Sequence, residues 1–248
     1  MRVTVFGASG EIGRRLVGEL EARGVDVVAA QRSTGVDAYA GTGLDGACTG
    51  TDVVVDAINV TTLKAKVAVD FFSTSAANIA AAAQRAGARR VVCLSIINAA
   101  DEQVNAKFGY YQGKAAQERV YTDALGPGML RIVRSAQWFE LAEQLLSRAR
   151  FGPVAAVAHM RCRPLAAADA ARVLADAVTD SAGGDVEVAG PAEMDLADIA
   201  KHLARKQGSP RWVFAVNVGG PAMRDGGLVP RGEFTQTSTT LEQWLAAR

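Results

Sequence analysis

Two residues able to move a proton, Tyr110 and Lys114, stand four positions apart in the segment FGYYQGKAAQERV. On a helix this spacing places both side chains on one face. A free phenol has a pKa of about 10, too high for ready proton exchange at neutral pH, whereas a neighbouring ammonium favours the phenolate. Tyr110 assisted by Lys114 therefore fits a general acid or base. The alternative is an exposed pair on a helix surface, and Tyr111 ranks second as the proton donor.

A second group suited to chemistry stands near the start of the chain, in VTVFGASGEIGRRL, where three glycines join a strand-like run to a helix-like run. Gly7 permits a sharp turn, Gly10 lets a pyrophosphate approach the backbone, and Gly13 lets the helix pack close to the strand. Free N–H groups at a helix start bind phosphates. The alternative is an ordinary glycine-rich turn. The residues predicted to bind a dinucleotide are Gly7, Ser9, Gly10, Glu11, Ile12 and Gly13.

The second strand-like run ends without the carboxylate that would favour NAD. An NAD site usually places Asp or Glu there to accept from the ribose hydroxyls. This chain instead has Gln31, Arg32 and Ser33. Arg32 can form a bidentate pair with a 2′-phosphate, and Ser33 can donate a hydrogen bond to it. We therefore expect NADP(H), with solvated arginines as the alternative for Arg32 and for Arg14, which follows the third glycine.

Two later stretches fit the same ligand. Asp37, after a short third strand, can accept from an adenine amino group, and a simple turn residue is an equal alternative. Ala57, Ile58 and Asn59 end the fourth strand in DAIN. Because open α/β sheets bind ligands at the carboxyl edge of their strands, we expect these three residues to contact the dinucleotide.

Alternating strand-like and helix-like runs must position these residues. The strand-like runs are apolar throughout, as expected when helices cover both faces of a parallel sheet. The runs of the first half are the strands Val3–Phe6, Val25–Ala29, Asp52–Ala57, Val91–Ser95 and Met129–Val133, and the helices Ile12–Arg23, Val67–Ala86 and Tyr110–Leu125. The later runs are the helices Trp138–Arg150, Asp169–Thr179 with Asp169 as N-cap, Asp195–Lys206 and Thr240–Ala247, the strand Val186–Ala189 and a loop over Pro210–Pro230.

The composition excludes several classes of protein. The 248 residues carry 27 Lys and Arg against 26 Asp and Glu, which gives no sign of a nucleic-acid partner. The three cysteines are far apart, so we expect no metal site and a reducing cytoplasmic location. No secretory signal is seen, and no apolar run reaches the roughly 18 residues that span a bilayer, so no membrane partner is expected.

Four segments in this order, GASGEIG, VVCLSI, YYQGKAAQE and MLRIVRSAQWFE, resemble the short-chain dehydrogenase/reductase superfamily. More narrowly they resemble its atypical NmrA-like NAD(P)-binding branch, which includes quinone and triphenylmethane-dye reductases. The resemblance covers about residues 1–190. It implies a Rossmann-type doubly wound sheet with NADPH held by the glycine loop, Arg32, Asn59 and Lys114. It also implies one domain, residues 1–248, with a core of about 1–135 and 160–190 and a small substrate lobe from 136–159 and 191–248.

The same resemblance suggests where a substrate would lie. Ser95 ends the strand after which the superfamily places a catalytic serine, but its neighbours depart from the pattern, so Ser95 either acts there or only shapes the nicotinamide pocket. Trp138 and Phe139 follow the next strand and can wall a pocket for a flat, apolar substrate. Core packing is the alternative for both, above all for Phe139. Phe108 and the loop Pro210–Pro230 can complete a lid.

Three functions remain open at this point. The first is an NADPH-dependent reductase of a small carbonyl, quinone or similar electrophile, with Tyr110 as proton donor and Lys114 assisting. The second is a non-catalytic NADP(H) sensor, as among NmrA-like regulators. The third is an epimerase or lyase, against which the short C-terminal lobe argues. A homodimer is a further expectation, since members of the superfamily are often dimers.

Overall fold

The computed structural model describes residues 1–126, 128–181 and 183–248. Within them, strands and helices alternate through the first half of the chain. The strands are β1 (Arg2–Phe6), β2 (Asp26–Ala30), β3 (Val53–Asp56), β4 (Arg90–Ile96), β5 (Leu130–Ser135), β6 (Arg150–Phe151), β7 (Val154–Ala158), β8 (Arg161–Cys162), β9 (Val186–Ala189), β10 (Met194–Asp195), β11 (Trp212–Val216) and β12 (Thr235–Gln236). The helices are α1 (Glu11–Ala22), α2 (Leu44–Cys48), α3 (Ala65–Arg85), α4 (Glu102–Asn105), α5 (Gly109–Ala124), α6 (Phe139–Arg148), α7 (Ala167–Thr179), α8 (Leu196–Gln207), α9 (Pro221–Arg224) and α10 (Leu241–Ala246).

The central sheet has seven strands in the order β12-β9-β5-β4-β3-β1-β2. Every pair in it is parallel, and Val3 of β1 lies between Val27 of β2 and Val53 of β3. The chain moves from β1 to β2 on one side and then to β3 on the other. This change of direction is the topological switch point at which open α/β sheets bind ligands. The predicted Rossmann-type fold is confirmed.

Two helical layers cover the sheet. Helix α1 packs along α7 on one face, and α3 packs along α5 on the other. Leu16 and Leu20 of α1 are fully buried against the first face, and Ile79 of α3 and Tyr121 of α5 against the second. Because both faces are covered, the strands need apolar residues at successive positions rather than at alternate ones.

A second apolar cluster lies beyond the carboxyl edge of the sheet. It joins Tyr111 of α5 to Phe139 of α6, Leu203 of α8 and Trp244 of α10. The three-stranded sheet β11-β7-β6 covers one side of this cluster, and its middle strand buries Val157. The division into a core and a substrate lobe remains a prediction.

Three expectations about local structure are wrong. No strand lies between β2 and Asp37, because Arg32–Thr34 form a 3₁₀ turn and Asp37 makes only an isolated bridge with Thr42. The segment DAIN therefore begins at Asp56, the last residue of the third strand, β3, and not in a fourth strand. Asp169 does not cap α7: the helix begins two residues earlier, after Ala166, and Asp169 binds Arg172 from inside its first turn.

The segment Pro210–Pro230 is not simply a loop. It contains β11, which runs parallel to β7 with Trp212 opposite Val154, and the short helix α9. In the described part of the chain, no helix combines the length and apolar character needed to cross a bilayer.

Candidate functional site

The glycine loop between β1 and α1 lies at the switch point and has no room for side chains. Gly7 has a φ of +79°, and a Cβ on it would lie 2.6 Å from the carbonyl oxygen of Ala57. A Cβ on Gly13 would lie 2.1 Å from the carbonyl oxygen of Gly7. These distances explain why the turn and the close approach of α1 to β1 require glycine.

Several backbone amides in this loop lack an acceptor. Gly10 is the N-cap of α1 and offers no side-chain cap. Ser9, Glu11, Ile12 and Gly13 donate no backbone N–H to any of the described residues. Gly10 is exposed, and a Cβ on it would meet only the oxygen of Gly7, at 3.2 Å. The free amides and the positive end of the helix dipole suit a diphosphate group.

The residues after β2 bring positive charge to the same place. The amide of Gly7 donates to the carbonyl oxygen of Ala30 at 3.1 Å, so the end of β2 lies beside the glycine loop. Arg32 and Ser33 follow, both exposed, and the Arg32 side chain forms no ion pair or hydrogen bond with any described residue. Arg14 differs, because it lies 3.6 Å from Glu11. A free guanidinium at Arg32 is consistent with the expected 2′-phosphate contact.

The two later stretches are placed differently from each other. One carboxylate oxygen of Asp37 accepts from the amides of Tyr39 and Ala40, at 2.9 and 3.0 Å, which is the turn alternative. Ala57 is buried, Ile58 is half-buried and Asn59 is exposed at the carboxyl edge, directly after β3. The structure therefore places the DAIN residues beside the glycine loop, whereas the Asp37 carboxylate is engaged in its own turn.

Tyr110 lies at the start of α5, on the same edge of the sheet. A Cβ on the preceding Gly109 would lie 2.6 Å from the carbonyl oxygen of Leu63, so α5 begins against the loop that follows β3. The Tyr110 ring packs edge-on against Phe72 at 5.7 Å and lies 6.4 Å from Phe108. Its hydroxyl has no hydrogen-bond partner among the described residues, so it is free to contact a ligand.

Burial raises the pKa of the Tyr110 phenol, and no lysine offsets this effect. The structure therefore gives no support to the expectation that Lys114 lowers that pKa, which stays a prediction. The Lys114 ammonium donates instead to the carbonyl oxygen of Leu94 at 2.7 Å and to Oε1 of Gln117 at 2.5 Å. It also lies 4.6 Å above the Phe72 ring. Burial therefore favours the neutral phenol of Tyr110.

A buried polar network anchors Lys114, and sequence reasoning did not find it. Gln117 Nε2 donates to Asp56 Oδ2 at 2.6 Å, and the Tyr121 hydroxyl donates to the same oxygen at 2.7 Å. The amide of Ile58 donates to Asp56 Oδ1 at 3.0 Å. Burial raises the pKa of Asp56, while the Lys114 charge lowers it. The one signal in the sequence is an aspartate that ends an otherwise apolar strand.

We expect Asp56→Asn to lower the free energy of unfolding by about 3 kcal/mol, because the buried Lys114 ammonium would lose a nearby negative charge that Gln117 links to it. The amide would also turn an N–H group toward donors that now reach a carboxylate. Urea unfolding measures the effect. Asp45→Asn is the matched control, since Asp45 forms an exposed pair with Arg85 and its loss is expected to cost less than about 1 kcal/mol. Equal losses for the two variants would contradict the prediction.

Ser95 is buried, and its hydroxyl donates to Oε1 of Glu118. The other Glu118 oxygen accepts from Arg134 at 2.6 Å. Ser95 therefore joins a network between α5 and two adjacent strands, and its side chain does not face an open space at the carboxyl edge. This placement gives no support to a catalytic role for Ser95.

The aromatic candidates divide into core and edge residues. Phe139 is 1% exposed and packs against Trp244 at 5.4 Å, so the expectation that it walls a substrate pocket is wrong. Trp138 is half-buried against the sheet core and donates its Nε1 to Ser135 Oγ at 2.9 Å. Phe108 is half-buried and stacks on Tyr111 at 5.0 Å. Phe108 and Tyr110 are therefore the aromatic side chains that remain partly open at the start of α5.

Tyr111, the second-ranked proton donor, is fully buried. Its hydroxyl accepts from Gln137 Nε2 at 2.7 Å, and burial raises its pKa well above the usual value. Tyr111 is thus a packing residue, and Tyr110 is the tyrosine that a ligand can reach.

Comparison of the sequence with protein-family models and with curated proteins gives no match. The fold, in contrast, matches many solved structures. A dTDP-4-dehydrorhamnose reductase from Bacillus anthracis in complex with NADP has a TM-score of 0.76 at 16% identity, covering 98% of this chain and 96% of that one. An NADPH-dependent quinone oxidoreductase from Escherichia coli complexed with NADPH has a TM-score of 0.66 at 18% identity, covering 100% and 99%.

A nucleoside-diphosphate-sugar epimerase from Staphylococcus aureus is also similar, with a TM-score of 0.69 at 16% identity and 99% of both chains covered. The TM-scores show a shared fold at low sequence identity. The aligned regions cover nearly all of this chain and of the epimerase and the dTDP-4-dehydrorhamnose reductase.

Proposed function

We propose that this protein is an NADPH-dependent oxidoreductase that transfers hydride to a small carbonyl, quinone or similar apolar electrophile. The observation that carries the proposal is the glycine loop at the switch point, where Gly7 and Gly13 have no space for a Cβ and the amides of Ser9 and residues 11–13 have no acceptor among the described residues. NADP and NADPH in two proteins of the same fold support it. The resemblance to the NmrA-like branch, which includes quinone reductases, also favours an NADPH-dependent oxidoreductase.

Each part of the cofactor has residues suited to it. The free amides of Ser9 and residues 11–13 would hold the diphosphate, and Arg32 with Ser33 would hold the 2′-phosphate. The Lys114 ammonium has three donors and uses two on Leu94 and Gln117, which leaves one for the nicotinamide ribose. When bound, the cofactor supplies the hydride, and the protein supplies placement and the proton.

Tyr110 is the proposed proton donor. Its hydroxyl is unpartnered within the described residues, and burial keeps it protonated because the pKa is raised. A carbonyl oxygen that gains electron density would accept this proton. Phe108 and Tyr110 present ring surface at the start of α5, which suits a flat, apolar substrate.

We expect Arg32→Gln to weaken NADPH binding about tenfold to a hundredfold, because a charge-assisted pair contributes about 1.5–3 kcal/mol. NADH binding should hardly change, since NADH has no 2′-phosphate. Calorimetric titration of both cofactors measures the two affinities. Arg119→Gln is the control, as Arg119 is exposed on α5 and forms no ion pair among the described residues. Tighter binding of NADH than NADPH to the unmodified protein would overturn the cofactor assignment.

The function itself is tested by mixing protein, NADPH and a panel of quinones and aldehydes and following the nicotinamide absorbance. Turnover of one or more substrates supports the oxidoreductase. One observation favours the alternative, a non-catalytic NADP(H) sensor: Ser95 and Lys114 are bound to other protein groups rather than to Tyr110. Tight NADPH binding without turnover across the panel would favour the sensor.

A further inference from the structure

We propose that the outer face of the sheet β11-β7-β6 docks on an anionic lipid surface. This aromatic face consists of Phe151, Val154, Ala156, Trp212 and Phe214. The proposal is independent of the function assigned above, because the face is built only from the C-terminal segments.

The strand register gathers these side chains on one side of the sheet. Phe151 of β6 and Trp212 of β11 both pair with Val154 of β7, and Phe214 pairs with Ala156. Phe151 is 82% exposed, Phe214 58% and Trp212 46%. The alternate residues of β7 are buried beneath, against α8. Soluble proteins rarely expose contiguous aromatic surface of this kind unless it binds something.

Unpaired arginines border the aromatic face. Residues 144–168 and 199–224, which supply all three strands, contain nine Lys and Arg, of which Arg161, Lys201 and Arg224 pair with carboxylates of other segments. Arg150 directly precedes Phe151, and Arg211 directly precedes Trp212, with its guanidinium 4.8 Å from the indole ring. Arg150 and Arg211 are exposed and form no ion pair with any described residue.

The positive charge of Arg150 and Arg211 favours an anionic lipid surface over a second copy of the chain as the partner of this face. A second copy of the chain would bring like-charged arginines together around the contact, which opposes association. An anionic lipid surface accepts the aromatic rings at its interface and attracts the arginines. Such binding needs no membrane-spanning segment. The expectation of no membrane partner was drawn from the lack of a spanning segment, and this proposal departs from it.

The test is co-sedimentation of the whole protein with phosphatidylglycerol-containing vesicles, with phosphatidylcholine vesicles as the reference. We expect binding to the anionic vesicles that weakens with added salt. Arg150→Gln with Arg211→Gln should lower the partition coefficient at least about tenfold, given about 1 kcal/mol for each basic residue near the surface. Phe151→Ser with Phe214→Ser should lower it by a similar factor. Circular dichroism checks that both variants fold.

Matched controls lie elsewhere on the chain. Arg119→Gln and Leu63→Ser remove an exposed arginine and an exposed leucine outside the face, and neither should change vesicle binding. Equal binding to both kinds of vesicle, or equal loss in the controls, would overturn the proposal. Concentration-dependent dimerisation that Phe151→Ser with Phe214→Ser abolishes would assign the face to a second copy instead. Capture by an immobilised acidic polypeptide without vesicle binding would assign it to an acidic protein.

Discussion

Gly13→Ala is expected to reduce NADPH affinity at least about a hundredfold and to lower the free energy of unfolding by about 1–3 kcal/mol. The new Cβ would lie 2.1 Å from the Gly7 carbonyl oxygen and 2.9 Å from Ala8 Cα. Both are backbone atoms, so α1 must move away from β1. That movement would displace the free amides that are proposed to hold the diphosphate. Calorimetric titration with NADPH and urea unfolding measure the two effects.

The same helix supplies a matched control. Gly18 is exposed in α1, and a Cβ on it would meet no atom within 4 Å. Gly18→Ala should therefore stabilise the protein by about 0.5–1 kcal/mol, because alanine is the better helix former. NADPH affinity should stay unchanged. Unchanged NADPH binding in the Gly13 variant would show that the glycine loop does not hold the cofactor.

The central sheet could be predicted from the sequence, whereas the turn before Asp37 could not. The core sheet was predictable because strands buried on both faces are apolar at successive positions, as in β3, and the helices between them have their own period. The strand expected before Asp37 was wrong because a 3₁₀ turn capped by Gly35, with a φ of +79°, reverses the chain there. The residues of this turn, and not the few apolar residues beside it, determine the local structure.

The buried partners of the site could not be predicted, because they come from distant parts of the chain. Asp56 and Gln117 are 61 residues apart, and their hydrogen bond forms only when α5 packs on the folded sheet. The spacing of Tyr110 and Lys114 predicted one helix face correctly, yet it could not show that Gln117 and Leu94 already bind the ammonium. Strand β11 was missed for a similar reason, since its partner β7 lies far back in the chain.

Tyr110→Phe is expected to lower kcat for aldehydes by roughly 100-fold to 10,000-fold, the usual contribution of a positioned acid. NADPH affinity should hardly change, because the variant removes only a hydroxyl that no described residue binds. The loss should be smaller for quinones, whose hydride acceptance depends less on a simultaneous proton. Steady-state kinetics with both substrate classes and NADPH titration give the split between kcat and binding.

The pH dependence of aldehyde reduction distinguishes Tyr110 acting as a proton donor with a raised pKa from Tyr110 with a pKa lowered by Lys114. Burial raises the pKa of Tyr110, so its acid form persists through about pH 6–9, and the tyrosine should cause no decline of aldehyde reduction in that window. If Lys114 lowered the pKa of Tyr110, the rate of aldehyde reduction would instead fall at pH values above that pKa. Tyr111→Phe is the control: it leaves the buried amide of Gln137 without its acceptor and should cost about 1–3 kcal/mol of stability, with kcat retained. Full aldehyde turnover in the Tyr110 variant would mean that the proton comes from solvent, and the free phenol at the start of α5 would then serve substrate binding alone.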